Sequence, residues 1–279
     1  MLTRPDIADE SIITCLRDRF GLRVAQLCFL PIGADVNSAS FRVNGDDGTP
    51  YFLKLRRGNF DEIAVAVPAF LRVRGIRSVM APLMTTTNRL WVHTGGFDWR
   101  LYPFFEGSNG FETALSKAQW IALGATMRAV HTTVLPADLA ARVPREDYAP
   151  RCRSIVMAFH RQVQTSAYDD PTAARFAAFW NAKRDEIACI VERAERLAQA
   201  LQNRAVDLVV CHGDLHGGNV LVGAHDEIAI VDWDEPILAP KERDLMFVGC
   251  RGGVVSLFDP SQAEHDQVTS HFSFLASRL

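Results

Sequence analysis

The stretch VVCHGDLHGGNVLV, residues 209–222, joins two apolar, β-branched runs through a turn that holds two His, one Asp, one Asn and three Gly. Apolar runs of this length predict short buried strands on both sides of the turn. A second motif, IAIVDWDEP at residues 228–236, follows after a hairpin-length connection. In a strand–loop–strand unit, this order places Asp214, Asn219 and Asp232 at the same end of a hairpin.

The oxygen chemistry of these three side chains fits phosphoryl transfer. Mg²⁺ prefers hard oxygen ligands, which Asn219 and Asp232 supply. Asp214 is then left to receive the proton of an attacking hydroxyl, which is the division of labour that phosphoryl transfer requires. His212 and His216 are four residues apart, a spacing that aligns two imidazoles on a helix but not in a loop, so we expect them to fix the loop by hydrogen bonding and not to bind zinc.

The composition is that of an ordinary globular protein, with 48% hydrophobic and 23% charged residues in a chain of 279. A net charge of −3 argues against a nucleic-acid partner and is compatible with a cationic small-molecule substrate. The six cysteines form no CxxC pair, which favours reduced thiols in the cytoplasm. We find no signal-peptide pattern and no apolar run of bilayer length, so we expect a cytoplasmic protein with no membrane partner.

The pattern of elements predicts two lobes with a cleft between them. The first third is expected to hold a helix over residues 5–20, a helix over 61–74, and strands in RVAQLCFLPI, ASFRV, YFLKL, VMAPLMTT and LWVHTGGFDWRLYPFF. After EGSNG the chain becomes helical, with a capping box at SKAQ (116–119) and one long or two abutting helices over 172–203. The predicted boundaries are a sheet-rich lobe at 1–101, a short connector at 102–106 and a helical lobe at 107–279.

Two features of the first lobe are candidates for nucleotide binding. GADVNSASF, residues 33–41, has small residues that would let backbone N–H groups approach a phosphate, although a plain hairpin is the alternative. Lys54 lies in a strand otherwise built for burial. It is either a solvated edge residue or a cleft lysine paired with a carboxylate of the next helix. Glu62 is the leading partner, and Asp61 is the second choice.

HGDLHGGN followed by IVDWD resembles the aminoglycoside phosphotransferase family, which shares the protein-kinase-like fold. Protein kinases carry HRD, an Asn at this same spacing, and then DFG. This chain has Gly213 in place of Arg, Asp-Trp-Asp in place of Asp-Phe-Gly, and no APE motif, which favours a small-molecule kinase. The blocks GADVNSASF, FLKL, DEI, YPFFEGSNGF and DEPILAPKERDLMFVG are most similar to the spectinomycin-phosphorylating members of that family.

The resemblance implies an α+β, two-lobed protein-kinase-like fold, with a small antiparallel-sheet N-lobe and a mainly helical C-lobe. It also implies ATP and Mg²⁺ as cofactors. Asp214 would be the catalytic base or hydroxyl-orienting residue, and Asn219 and Asp232 would hold two Mg²⁺ ions. Lys54 would bind the α and β phosphates, with Glu62 holding it in place.

Further roles follow from the same resemblance, which makes 1–101 the nucleotide-binding lobe, 102–106 the hinge and 107–279 the catalytic and substrate lobe. The backbone around Asn37 and Ser38 would cover the phosphates. Adenine would bind through the carbonyl of Pro103 and the N–H of Phe105. Asp244 would brace the catalytic loop from below, and Asp234 and Glu235 are candidates for a carboxylate rim around a cationic substrate.

The expected function is ATP-dependent phosphorylation of a hydroxyl on an aminocyclitol or aminoglycoside antibiotic, with spectinomycin as the expected substrate, by a monomer or weak dimer. One alternative is a choline, homoserine or sugar kinase, because the fold does not determine the substrate. Another is a truncated, non-catalytic nucleotide-binding protein, because we recognise no closing helices of the family in RGGVVSLFDPSQAEHDQVTSHFSFLASRL.

Overall fold

The computed structural model describes residues 3–33, 35–58, 60–149, 153–202 and 204–247. The chain divides into two compact units, one formed by Met1–Arg145 with Leu208–Leu279 and the other by Glu146–Asp207. The C-terminal stretch in which we recognise no closing helices lies outside the described residues.

A five-stranded antiparallel sheet with the order β1-β2-β3-β5-β4 opens the first unit. Its elements are α1 (Asp9–Phe20), β1 (Val24–Leu30), β2 (Ser38–Gly45), β3 (Pro50–Arg56), α2 (Ile63–Val73), β4 (Val92–Thr94) and β5 (Phe97–Pro103). Side chains alternate across each strand. On β3, Leu53 and Leu55 enter a buried cluster with Leu16 of α1, which leaves Lys54 and Arg56 on the opposite face. The sheet therefore has one apolar face and one polar face.

The prediction of a strand in VMAPLMTT is wrong. The backbone of this segment forms hydrogen bonds with two different strands, one after the other, and does not pair continuously with either. The N–H of Met80 donates to the carbonyl of Ile230 (2.9 Å), and the N–H of Leu83 donates to that of Leu101 (2.7 Å). Pro82, between them, has no N–H to continue a ladder.

The rest of the first unit combines helices with short strands. Its elements are β6 (Gly107–Asn109), α3 (Lys117–Thr132), α4 (Ala137–Ala140), β7 (Val209–Cys211), β8 (Val220–Gly223), β9 (Ile228–Ile230), β10 (Ile237–Ala239) and two 3-10 helices, Gly217–Asn219 and Lys241–Leu245. The capping box at the start of α3 is confirmed, since Ser116 and Gln119 exchange hydrogen bonds.

The two apolar runs of the opening stretch belong to different sheets. β7 pairs with β10, whereas β8 lies between β6 and β9. The expected hairpin is therefore formed by β8 and β9. The turn between β7 and β8 is a crossing between sheets, which explains why it needs side-chain hydrogen bonds of its own.

The second unit is helical, with α5 (Arg153–Thr165), α6 (Pro171–Ala182) and α7 (Arg184–Gln202). Of the two predicted alternatives for residues 172–203, the structure shows two abutting helices separated at Lys183, and residue 203 lies outside the described part. Asp170 caps α6 by accepting the N–H of Ala173 at 2.7 Å, and Phe159 and Trp180 pack edge to face. None of the described helices is both long and apolar enough to cross a membrane.

Candidate active site

Hydrogen bonds between backbone and side-chain atoms hold the loop between β7 and β8 in a fixed shape around Asp214. The N–H of Asp214 donates to Nδ1 of His212 at 3.3 Å, and its carbonyl accepts from Nδ2 of Asn219 at 2.9 Å. The carboxylate of Asp214 takes part in neither bond, and its side chain is 48% exposed. Oδ2 of the carboxylate lies 3.5 Å from Nε2 of His216, so the carboxylate faces that ring while the two bonds above hold the backbone.

Asp244, in the 3-10 helix Lys241–Leu245, braces this loop, as expected. Its carboxylate accepts the backbone N–H of His212 (3.1 Å) and of Gly213 (3.0 Å), and a bond of 2.9 Å joins it to Nε2 of His131. Asp244 is 1% exposed. A buried carboxylate with three partners is a rigid anchor, because each partner would be left unsatisfied without it.

His212 has the loop-fixing role predicted for it. Because its Nδ1 accepts the N–H of Asp214, its Nε2 carries the proton and donates to the carbonyl of Val231 at 2.8 Å. Burial lowers the pKa of His212 and outweighs the opposing effect of the Val231 carbonyl, so the ring is neutral at pH 7. The ring of Trp233 packs against it at 4.6 Å.

Gly213 stands where protein kinases have Arg, and the backbone explains why. Its φ is +87°, and a Cβ at this position would lie 2.4 Å from the carbonyl oxygen of Glu235. The conformation favours glycine, and the contact excludes any side chain. Glycine at position 213 therefore lets the loop lie closer to residue 235 than a residue with a side chain would.

We expect Gly213→Ala to lower stability by more than about 2 kcal/mol, because it adds a steric clash to the cost of about 1–2 kcal/mol for a left-handed alanine. Gly48→Ala is the matched control, since Gly48 has φ +81° but no atom within 4 Å of the point that a Cβ would occupy. Urea denaturation of both variants gives the comparison. Equal losses would mean that the contact with Glu235 has no energetic weight.

Asn219 and Asp232 have the donor chemistry that a divalent cation needs. Because Nδ2 of Asn219 is bonded to Asp214, its Oδ1 is the atom left to act as a ligand. The N–H of Val231 donates to the Asn219 carbonyl at 3.0 Å, which places Asp232 beside it. Asp232 has a left-handed backbone, φ 61°, and strain of this kind concentrates at functional sites. The two residues fit Mg²⁺, which favours carboxylate and amide oxygens.

Lys54 reaches the segment between β9 and β10 from the polar face of the sheet. Its Nζ lies 2.6 Å from Oδ1 of Asp232 and 2.8 Å from Oδ2 of Asp234. Burial would lower the pKa of Lys54, but the two carboxylates outweigh it and raise the pKa. Burial likewise opposes ionisation of Asp234, but Lys54 and Arg100 hold its pKa well below the usual range. Lys54 and Asp234 are therefore both charged at pH 7.

The structure places two of the predicted site residues differently from what the sequence led us to expect. Glu62 does not meet Lys54, because its carboxylate bonds to Nη2 of Arg142 at 3.0 Å. Asp234 does not lie at a free substrate rim, because Lys54 and Arg100 each take one of its oxygens. The alternation around the buried Trp233 explains this placement, since it turns both neighbouring aspartates toward Lys54. Glu235 is exposed and remains a candidate for the rim.

The loop before β2 uses its own donors in a tight turn. The N–H of Asn37 donates to the Asp35 carboxylate at 2.9 Å, and the N–H of Ser38 donates to the Asp35 carbonyl at 3.0 Å. Both N–H groups are thus already bonded within the turn, so these two groups could contact a phosphate only if the turn opened. The phosphate-covering role of Asn37 and Ser38 stays a prediction.

The predicted hinge, residues 102–106, begins inside β5, which ends at Pro103. The N–H of Phe104 donates to the Pro50 carbonyl at 3.2 Å and closes the sheet there. Arg42 of β2 fixes the segment, because its guanidinium lies 4.3 Å from the centre of the Phe104 ring and donates to Glu106 at 2.5 Å. Pro103 and Phe105 flank this contact, and their roles toward adenine stay predictions.

Comparison with known proteins agrees with this geometry. The phosphotransferase enzyme family (APH) matches residues 29–256. Spectinomycin phosphotransferase in complex with ADP and spectinomycin is 34% identical, with a TM-score of 0.86 and coverage of 96% of this chain and 79% of that one. An AMP-bound complex of spectinomycin phosphotransferase is 32% identical, with a TM-score of 0.83 and coverage of 98% and 82%.

More distant structures share the fold alone. An aminoglycoside phosphotransferase from Alicyclobacillus acidocaldarius is 16% identical, with a TM-score of 0.58 and coverage of 87% of this chain and 70% of that one. A search among curated proteins found no match.

The antiparallel sheet, the helices and the loop around Asp214 define a kinase-like small-molecule phosphotransferase, which confirms the expected fold class. The chain belongs to the phosphotransferase enzyme family, in which its resemblance to aminoglycoside phosphotransferases is confirmed. It is an enzyme that transfers a phosphoryl group to a hydroxyl acceptor, and antibiotic phosphotransferase function is supported at this level.

Proposed function

We propose that the chain is a Mg²⁺-dependent cytoplasmic kinase that transfers the γ-phosphoryl group of ATP to a hydroxyl of spectinomycin and so confers resistance. The observation that carries the proposal is the 2.6 Å contact between Lys54 and Asp232, made next to the loop that holds Asn219 and Asp214. Support for the acceptor comes from the 34% identity, over 96% of the chain, to spectinomycin phosphotransferase.

The chain's own residues divide the reaction between them. Asp214 accepts the proton of the acceptor hydroxyl as that oxygen bonds to the γ-phosphorus, and the bond from the γ-phosphorus to the β–γ bridging oxygen breaks to release ADP. Lys54 neutralises phosphate oxygens. Asn219 and Asp232 would hold Mg²⁺, which neutralises further phosphate charge when bound. The Pro103 carbonyl and the Phe105 N–H would bind adenine at the hinge, between lobes at 1–101 and 107–279.

The product chemistry explains resistance. A phosphate adds roughly two negative charges at pH 7. A cationic antibiotic that recognises anionic RNA loses electrostatic complementarity when it carries these charges. An exposed carboxylate such as Glu235 would favour the cationic substrate before transfer.

Coupled ATP turnover with Mg²⁺ tests the proposal against spectinomycin, streptomycin, kanamycin, hygromycin, choline and homoserine, with Asp214→Ala as the inactive variant. We expect spectinomycin-dependent turnover that is lost in the variant. Turnover with another member of the panel would keep the kinase and refute the substrate. ATP binding without any turnover would favour the non-catalytic nucleotide-binding alternative.

A further inference from the structure

Two cations face each other on the polar side of the sheet. Lys54 of β3 and Arg100 of β5 are directly opposite partners in the antiparallel register, and like charges in such pairs repel. Asp234 lies between them, with Oδ2 2.8 Å from Lys54 Nζ and Oδ1 2.7 Å from Arg100 Nη1. Arg56 Nη1 also lies 3.5 Å from Oδ2, so Asp234 is shared by three cations and joins β3 and β5 through their charges.

Arg100 is an unusual residue for this position because its side chain is 0% exposed. Its guanidinium lies 4.8 Å from the centre of the Phe60 ring, and its Nε and Nη2 have no hydrogen-bond partner among the described residues. A buried guanidinium needs a counter-charge, because an unpaired buried charge is strongly destabilising. Arg100 therefore holds Asp234 in place.

The other two carboxylates considered as partners of Lys54 are not held in this way. Asp232 is 47% exposed and is the proposed ligand of the cation. Glu62, at the start of α2, pairs with Arg142, and both side chains are about half exposed. Of these three carboxylates, Asp234 is the one that combines a direct bond to Lys54 with a fully buried partner of its own.

We propose that Asp234, anchored by the buried Arg100, is the positioning residue for Lys54. It takes the place that the sequence assigns to Glu62, and the inference rests on the proposed use of ATP. With Asp234 fixed, the Lys54 ammonium stays at the phosphate position when Asp232 turns to the cation. Without Asp234, Lys54 has only Asp232 as its bonded carboxylate among the described residues and competes with the cation for it.

The test compares Asp234→Asn with the wild-type protein. We expect the KM for ATP to rise about tenfold or more while kcat at saturating ATP changes less, the pattern of lost uniform binding. The affinity for Mg²⁺ with a non-hydrolysable ATP analogue, measured calorimetrically, should fall in parallel. A merely structural role would lower the active fraction, and so the apparent kcat, without moving the KM.

The double variant Arg100→Met/Asp234→Asn separates positioning from stability. Removal of both charges should recover much of the thermal midpoint lost in Asp234→Asn, because Arg100, the fully buried partner, no longer leaves a charge without its carboxylate. Affinity for the analogue should not recover. Recovery of both would overturn the proposal, because Asp234 would then serve only to neutralise Arg100.

Two further variants complete the comparison. Asp18→Asn, an exposed aspartate of α1 paired with Arg17, is the matched control for loss of one carboxylate. A raised KM in Glu62→Gln together with a normal KM in Asp234→Asn would show that Glu62 holds Lys54.

The analogue binds without an acceptor, so failure of spectinomycin turnover with analogue binding intact would refute only the proposed acceptor. Wild-type protein that binds no analogue would overturn both proposals.

Discussion

Replacement of Asp214 by Ala is expected to lower kcat about 10²–10⁴-fold, the typical contribution of a general base. The KM for ATP and the thermal midpoint should stay near the wild-type values. The fall in kcat should leave KM and stability unchanged because the loop is held by other atoms of Asp214. Its backbone N–H donates to His212, and its carbonyl accepts a hydrogen bond from Asn219. Alanine keeps both bonds and loses a half-exposed carboxylate with its 3.5 Å contact to Nε2 of His216, and an exposed contact of this length contributes little to stability.

Initial-rate kinetics with spectinomycin and thermal denaturation of the same samples measure both quantities. Asp46→Ala removes an exposed carboxylate from the turn between β2 and β3 and should keep kcat within about twofold of the wild type. A kcat for Asp214→Ala within about tenfold of the wild type would contradict the base assignment. A large fall in its thermal midpoint would instead mean that the carboxylate supports the loop.

Much of the fold could be predicted because its signals are local. Gly21 ends α1 in a left-handed conformation, and Ser116 and Gln119 form the capping box that their spacing predicts. The partners of a strand are not local. The apolar run of β7 gives no sign that it pairs with the more distant β10, across a stretch that contains both metal-binding candidates. The hairpin of β8 and β9, by contrast, is local, and the short connection between them predicts it.

The candidate site shows the same limit. Asp214, Asn219 and Asp232 belong to motifs with fixed spacing, so the sequence indicates them together. Arg100 was missed because an arginine in an apolar strand usually faces solvent, and its partner Asp234 lies 134 residues away. Glu62 was assigned to Lys54 because it begins the next helix. The geometry instead directs its carboxylate to Arg142, which no local pattern indicates.

Loss of the Asp244 carboxylate should have the opposite signature to loss of Asp214. Asp244→Ala leaves two backbone N–H groups and the His131 ring without their buried acceptor. Each unsatisfied buried group costs about 1–3 kcal/mol, so we expect a total of at least about 3 kcal/mol. At about 2–4 °C per kcal/mol, the thermal midpoint should fall by about 6–12 °C.

Activity should fall together with stability in Asp244→Ala, because the N–H groups it releases belong to His212 and Gly213, which set the direction of Asp214. The stability and activity of Asp244→Asn should lie between those of Asp244→Ala and the wild type. The Asn side chain keeps one acceptor oxygen, but its NH₂ group faces groups that are themselves donors. Asp18→Ala, exposed on α1, should change stability by less than about 0.5 kcal/mol. If Asp244→Ala melted like the wild type but lost activity, Asp244 would act in the chemistry and not as the brace of the loop.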